Sequence, residues 1–153
     1  MNVLYFDCMS GISGNMAIGA LLELCDDQKW FYESMQALPL THCTINISKE
    51  MRNGISGTYF DVRVDEAIPQ PERHLSDIYT IIEESQIPDH AKMLAKAIFY
   101  RVAKAEAKVH NTTFENVHFH EVGAADSIID IIGVALLINY LHDLFPAWVE
   151  NKV

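Results

Sequence analysis

With 153 residues the chain fits one domain, long enough to bury roughly two-thirds of its unfolded surface. Half of its residues are apolar and 21% are charged, an ordinary globular composition. Its 11 Lys and Arg against 21 Asp and Glu leave a formal net charge of −10, which excludes a nucleic-acid surface built on clustered basic residues; a metal cation or a small substrate held by local donors is compatible with it.

Val3-Leu4-Tyr5-Phe6 is a short apolar run that reads as a strand buried on both faces. It carries no positive n-region and stops at Asp7, the wrong pattern for a signal peptide. A loop of small residues follows, Ser10-Gly11-Ile12-Ser13-Gly14-Asn15, and then Met16, Ala17, Ala20, Leu21 and Leu24 recur as in a helix. Phe31, Ser34, Met35 and Leu38 mark a second short helix. After Pro39 the period changes to two: Ile45 and Ile47, then Phe60, Val62 and Val64, alternate with polar residues. These are two half-buried strands joined around Asn53-Gly54, within a connection over residues 49–57 that is longer than a tight hairpin and leaves the register open.

Residues 67–72, with two prolines, read as a linker. Leu75, Ile78, Ile81 and Ile82 mark a helix that ends before Pro88, and Pro88 starts the next one. There Ala91, Leu94, Ala95, Ile98, Val102, Ala105 and Val109 form an apolar stripe opposite Lys92, Lys96, Lys104 and Lys108. Asn111-Thr112-Thr113 stops that helix. Val117-His118-Phe119-His120-Glu121-Val122 reads as extended and Gly123 breaks it. A buried helix then runs from about Ala124 to His142. Its most apolar stretch, 128–141, is shorter than the ~20 residues of a membrane span and reads as core. The expected fold class is α+β, a small sheet of about three to four strands covered by about five helices. Residues 1–142 form a single domain and 143–153 a short tail. Cys8, Cys25 and Cys43 are odd in number and show no CxxC spacing, which points to a reducing cytoplasm.

Three groups of residues carry chemistry. In the first, Asp7 ends the opening run and Ser10, Gly11, Ser13, Gly14 and Asn15 precede a helix. Glycines admit a close backbone approach, and helix-start amides attract anions. No Walker A or GxGxxG spacing is present, and the alternative is a plain strand-to-helix turn with Ser13 or Asn15 as N-cap. In the second group, His118 and His120 share one face of an extended segment, while Asp126 and Asp130 share one face of the last helix. Carboxylates on an apolar helix are costly unless paired, hydrogen-bonded or metal-bound, and imidazole with carboxylate suits nickel, zinc or iron. Against this, Asp126 can simply cap its helix and His118 can be a core histidine. The third group is Arg73-His74 before Ser76-Asp77. Ser76 or Asp77 reads as an N-cap, Arg73 as a clamp for phosphate or carboxylate, and His74 as a further ligand of the second group. Cys8 reads either as a soft-metal ligand or as a buried thiol, and His110 as a partner of its helix dipole. His42, His90 and His142 stand alone, and Cys25 and Cys43 read as packing residues.

Three segments together resemble the LarC-type nickel insertion proteins of lactate racemase maturation. They are Leu4-Tyr5-Phe6-Asp7-Cys8-Met9-Ser10-Gly11-Ile12-Ser13-Gly14-Asn15-Met16, Arg73-His74-Leu75-Ser76-Asp77-Ile78, and the stretch from Val117-His118-Phe119-His120-Glu121-Val122-Gly123 through Asp126 and Asp130. The resemblance covers the chain to about residue 141 and implies its amino-terminal domain, with the family's carboxy-terminal domain absent. It implies insertion of nickel into pyridinium-3,5-bisthiocarboxylic acid mononucleotide, with CTP and Mn²⁺ or Mg²⁺ needed by the full-length family. It further implies a client nickel enzyme such as lactate racemase, and it allows a homo-oligomer. Under it, Asp7, Asp126 and Asp130 are candidate catalytic residues. Ser10, Gly11, Ser13, Gly14, Asn15 and Arg73 are candidates for the substrate phosphate, and His74, His118, His120 and Glu121 for nickel. Two departures stand out: Asn15 occupies a position where the family usually has Asp, and Pro69-Gln70-Pro71-Glu72 replaces a run of histidines. Alternatives from other classes are a non-catalytic nickel or nucleotide delivery module and a metal-dependent phosphohydrolase.

Overall fold

A computed structural model of the chain describes residues 3–65, 67–113, 117–119 and 122–145, with His118 described by its backbone alone. Among the described residues five helices and four strands follow in chain order: α1 (Gly14–Leu22), α2 (Lys29–Gln36), β1 (Cys43–Arg52), β2 (Ile55–Val64), β3 (Arg73–His74), α3 (Leu75–Glu84), α4 (Asp89–Val109), β4 (His118–Phe119) and α5 (Ala125–Leu144). The class is α+β, as expected. The strands form two separate antiparallel pairs, β1 with β2 and β3 with β4, and not one sheet.

The opening run is a correction. Residues 3–8 make no strand among the described residues, and Val3 and Tyr5 are 70% and 80% exposed. A continuous apolar run becomes a buried strand only where neighbouring strands accept its hydrogen bonds, and none does so here. Leu4 alone of the run packs against the core.

The β1–β2 hairpin is tighter than its composition suggested. Pairing continues from Cys43↔Val64 to Arg52↔Ile55, so Asn53-Gly54 is a two-residue turn. Both turn residues have positive φ, 51° at Asn53 and 81° at Gly54, the conformation that matches strand twist and that Asn-Gly tolerates best. Only one face of this hairpin packs inward, through Ile45 and Phe60, against α1 and α2.

The core is built around α5. Ile128, Ile129, Ile132, Leu136, Leu137 and Leu141 are buried among α1, α2 and α4. Burial on several sides explains why α5 reads as apolar all round rather than striped. Among the described helices α5 is long and apolar enough to cross a membrane, but half of it is buried inside the protein, the mark of a core helix. Trp30 stacks on Tyr140 at 4.6 Å, and Phe31 meets Phe60 edge-on at 5.9 Å. These contacts tie α2 and β2 to the centre.

On α4 the buried line is Ala91, Ala95, Phe99 and Ala103, an i, i+4 row that replaces the broader stripe expected. Val109 is 77% exposed. Small alanines let α4 approach α5 closely, and Phe99 fills the space beside Phe119. The N-cap of α3 is His74, not Ser76 or Asp77: its N–H donates to the Asp77 carboxylate at 2.7 Å, which places Asp77 in the first turn.

Candidate functional site

The start of α1, the β3–β4 pair and the start of α5 meet at one end of the molecule, although their residues are far apart in sequence. The closest junction is between α1 and α5. A Cβ on Gly14 would lie 2.5 Å from Asp130 Oδ2 and 2.6 Å from Asp130 Cβ, so only glycine leaves room for that carboxylate. The Asn15 backbone N–H donates to Asp130. Ser13 is the N-cap residue, but its hydroxyl donates to Asn15 Oδ1 at 2.5 Å instead of capping the helix. A carboxylate from α5 therefore satisfies an amide that an unassisted helix start leaves open.

Asp130 is partly buried. Burial pushes its carboxyl up from 3.8 to about 6, the charge of Asp126 adds to the rise, and the Asn15 amide opposes it. Asp126 sits one turn earlier in the first turn of α5, where its Oδ1 accepts the Ser127 N–H at 2.8 Å. Two carboxyls on one face, one of them titrating near neutrality, can pass a proton or share a cation. The same arrangement bears on anions: a phosphate reaching the Asn15 amide must displace Asp130, share it through a cation, or meet it protonated.

The loop before α1 is exposed throughout residues 5–13. Gly11, at φ 88°, closes a turn in which its N–H donates to the Cys8 carbonyl at 2.9 Å. Asp7 Oδ1 accepts the Met9 N–H at 3.4 Å, and Ser10 lies exposed within the turn. Cys8 is exposed, so its alternative of a buried thiol is set aside. Met9 and Ile12, 93% and 50% exposed, give the loop an apolar outer surface.

Arg73 and His74 are built into the neighbouring wall. The Arg73 guanidinium donates through Nη1 to the Gly123 carbonyl, across the break between β4 and α5. Burial lowers its pKa, while the charges of Asp77 and Cys43 act in the opposite sense. The His74 ring points Nδ1 at the Val117 carbonyl, 3.2 Å away, and His74 lies directly opposite His118 in the ladder. His120 and Glu121 lie outside the described residues, as does the side chain of His118. Among the described residues no three His, Cys, Asp or Glu side chains are grouped to hold a metal ion.

Cys43 packs against the core, as expected, and has charged neighbours besides. It begins β1, half-buried, within the field of both Arg73 and Asp126, and burial raises its thiol pKa. No spacing could have revealed this, because its neighbours come from β3 and α5.

Comparison with known proteins follows the same segments. A family described as nickel insertion protein matches residues 4–144. Proteins called pyridinium-3,5-bisthiocarboxylic acid mononucleotide nickel insertion protein are similar to this chain. The one from Acetivibrio thermocellus is 45% identical over 148 residues, covering 92% of this chain and 36% of the relative. The one from Alkaliphilus metalliredigens is 44% identical over 157 residues, covering 92% and 37%. A relative from Dictyoglomus thermophilum, also named for nickel insertion, is 45% identical over 143 residues, covering 93% and 36%. The chain thus spans about 36% of the length of these relatives. No solved structure matches it.

Proposed function

The chain belongs to the nickel insertion protein family, and on that footing we propose that it takes part in inserting nickel into pyridinium-3,5-bisthiocarboxylic acid mononucleotide. The observation that carries this is the meeting of Gly14 and Asn15 with Asp130 beside the Arg73–Gly123 contact. It brings all three family-like segments to one end of the fold. The relatives' names supply the substrate and the cargo; this chain supplies an open loop, two acids and a histidine-bearing strand pair to receive them.

In this assignment the mononucleotide phosphate docks against Ser10, Gly11, Ser13, Gly14 and Asn15, with the remaining donors of Arg73 at the edge. Nickel is staged by His74, His118, His120 and Glu121. Asp126 and Asp130 balance its charge, and Asp130 accepts the proton released when the ring carbon is metallated. Asp7 holds the loop turn. Soft sulfur and hard oxygen donors on the substrate would then draw nickel from imidazole ligands of intermediate softness. The family's CTP and Mn²⁺ or Mg²⁺ are not placed on these residues, because no triad of hard ligands is grouped among the described ones. We assign them to the length of the relatives that this chain does not span, together with a client enzyme such as lactate racemase. Free thiols at Cys8, Cys25 and Cys43 suit a reducing cytoplasm.

Calorimetric binding of the mononucleotide tests the assignment. The chain binds it, and Ser13→Ala/Asn15→Ala weakens binding by at least about tenfold, the loss of one to two hydrogen bonds to a charged group. Undiminished binding by that variant, or no binding by the folded chain, refutes it.

A further inference from the structure

The far end of α5 carries a second group of polar side chains that the proposed insertion site does not use. Asn139 is 4% exposed on an otherwise apolar helix, so its amide needs partners. Its Nδ2 donates to Asp143 Oδ2 at 3.1 Å, which turns its Oδ1 toward His90 Nδ1, also at 3.1 Å. A carboxylate only accepts, so the amide orientation is fixed and Oδ1 must accept the His90 Nδ1–H. The other oxygen of the same carboxylate, Asp143 Oδ1, lies 3.6 Å from His142 Nδ1. His90 thus has Nδ1 hydrogen-bonded to an oxygen, which leaves its Nε2 as the lone-pair nitrogen, while His142 Nδ1 lies near the Asp143 carboxylate without a hydrogen bond to it. His90 is exposed and His142 is partly so.

The two rings lie close together at the junction of α4 and α5, with centroids 5.8 Å apart and planes tilted by 41°. A metal–nitrogen bond of about 2.1 Å puts a metal ~3.2 Å from each ring centre, so two imidazoles sharing one ion have centroids ~5.2 to 6.4 Å apart for ligand angles from tetrahedral to linear. The observed separation falls inside that range. An oxygen on the far nitrogen, as His90 has in Asn139 Oδ1, is also what metal-bound imidazoles usually have, since it fixes the tautomer and raises ligand basicity.

We propose that His90 and His142 form a surface site for one divalent first-row transition ion, bound through the two Nε2 atoms, with Asn139 and Asp143 as positioning residues. Nitrogen donors select nickel, copper or zinc over magnesium or calcium. The site lies about 18 Å along α5 from Asp130, at 1.5 Å per residue, so it is separate from the proposed insertion site. It does not depend on the nickel-insertion assignment. In a chain with net charge −10, an exposed two-imidazole site would collect cations from solution.

The test uses Zn²⁺ as a diamagnetic probe, with imidazole nitrogens followed by NMR. It is run in the unsubstituted chain and in His118→Ala/His120→Ala, which removes any contribution from the other end. Before metal, the His90 ring shows the Nδ1-protonated tautomer. On titration the Nε2 signals of His90 and His142 shift together, with one midpoint at one equivalent. His90→Ala lowers the affinity seen at His142 by more than about tenfold, and Asp143→Ala lowers it by about 10- to 100-fold. Both residues are at the surface, and circular dichroism checks that the variants stay folded. Separate midpoints for the two rings, an unaltered His142 response in His90→Ala, or no response in the folded chain each overturn the proposal.

Discussion

Replacing Asp130 by Asn should make this chain more stable at neutral pH. The carboxyl is raised from 3.8 to about 6, chiefly by burial and next by the charge of Asp126, so its ionised form is disfavoured in the folded state. Unscreened, that rise amounts to about 3 kcal/mol. Asp130 remains partly open to solvent, and screening reduces this to ~1–2 kcal/mol. The sign follows from proton counting. Between the unfolded value and about 6 the folded chain retains a proton that the unfolded chain has lost, so stability falls as pH rises through this window. Below 3.8 both states are protonated and the cost vanishes. Asn keeps an oxygen to accept the Asn15 N–H without a charge to desolvate. Urea unfolding of both proteins from pH 3.5 to 8 should show matching stabilities at the acid end and a gain of ~1–2 kcal/mol for Asp130→Asn above pH 7. Melting temperature should rise by about 2–8 °C for a chain of this size. A variant less stable than the parent at pH 7.5, or a gain equal at both ends of the range, would refute the assignment of the cost to ionisation. Such a cost is expected where an acid is held for chemistry rather than for stability.

Three further outcomes follow from packing and the site wall. Gly19→Ala places a Cβ 2.5 Å from the Thr58 carbonyl oxygen, so α1 must lift from β2. The loss, about 1–3 kcal/mol by urea unfolding, should exceed the ~1 kcal/mol that better helix propensity returns. Phe99→Ala empties a fully buried position between α4 and Phe119 and should cost ~3–5 kcal/mol. Arg73→Ala removes the bond to the Gly123 carbonyl, at a cost of about 1.5–3 kcal/mol; faster amide exchange confined to β3, β4 and the start of α5 should accompany it.

Much of this fold is legible in the sequence because its helices carry their period openly. Phe31 with Met35, and Ile78 with Ile82, predict the buried faces of α2 and α3 that the structure shows. What fails is any inference that depends on a partner from elsewhere in the chain. Residues 3–6 have the composition of a central strand, but among the described residues no strand lies beside them. The α4 stripe shifts onto Phe99 and Ala103 because α5 and Phe119 decide which side is inward.

The same division holds for the site. Gly14 and Asp130 were both singled out by residue chemistry, yet their contact across 116 positions of sequence could not be read from spacing. His90 and His142 look solitary in a linear sequence, and Cys43 looks like packing. The junction of α4 with α5 and the start of β1 against β3 give them neighbours.

The most direct measurement of the central claim is calorimetric titration with Ni²⁺ of the His90→Ala/His142→Ala chain, beside the same chain also carrying His118→Ala/His120→Ala. Removing the first pair isolates the end where α1, β4 and α5 meet. One stoichiometric binding event should survive the first pair of substitutions and be lost with the second. Nickel binding that is absent in the first chain, or unchanged in the second while both remain folded, would contradict nickel staging at the β4 end.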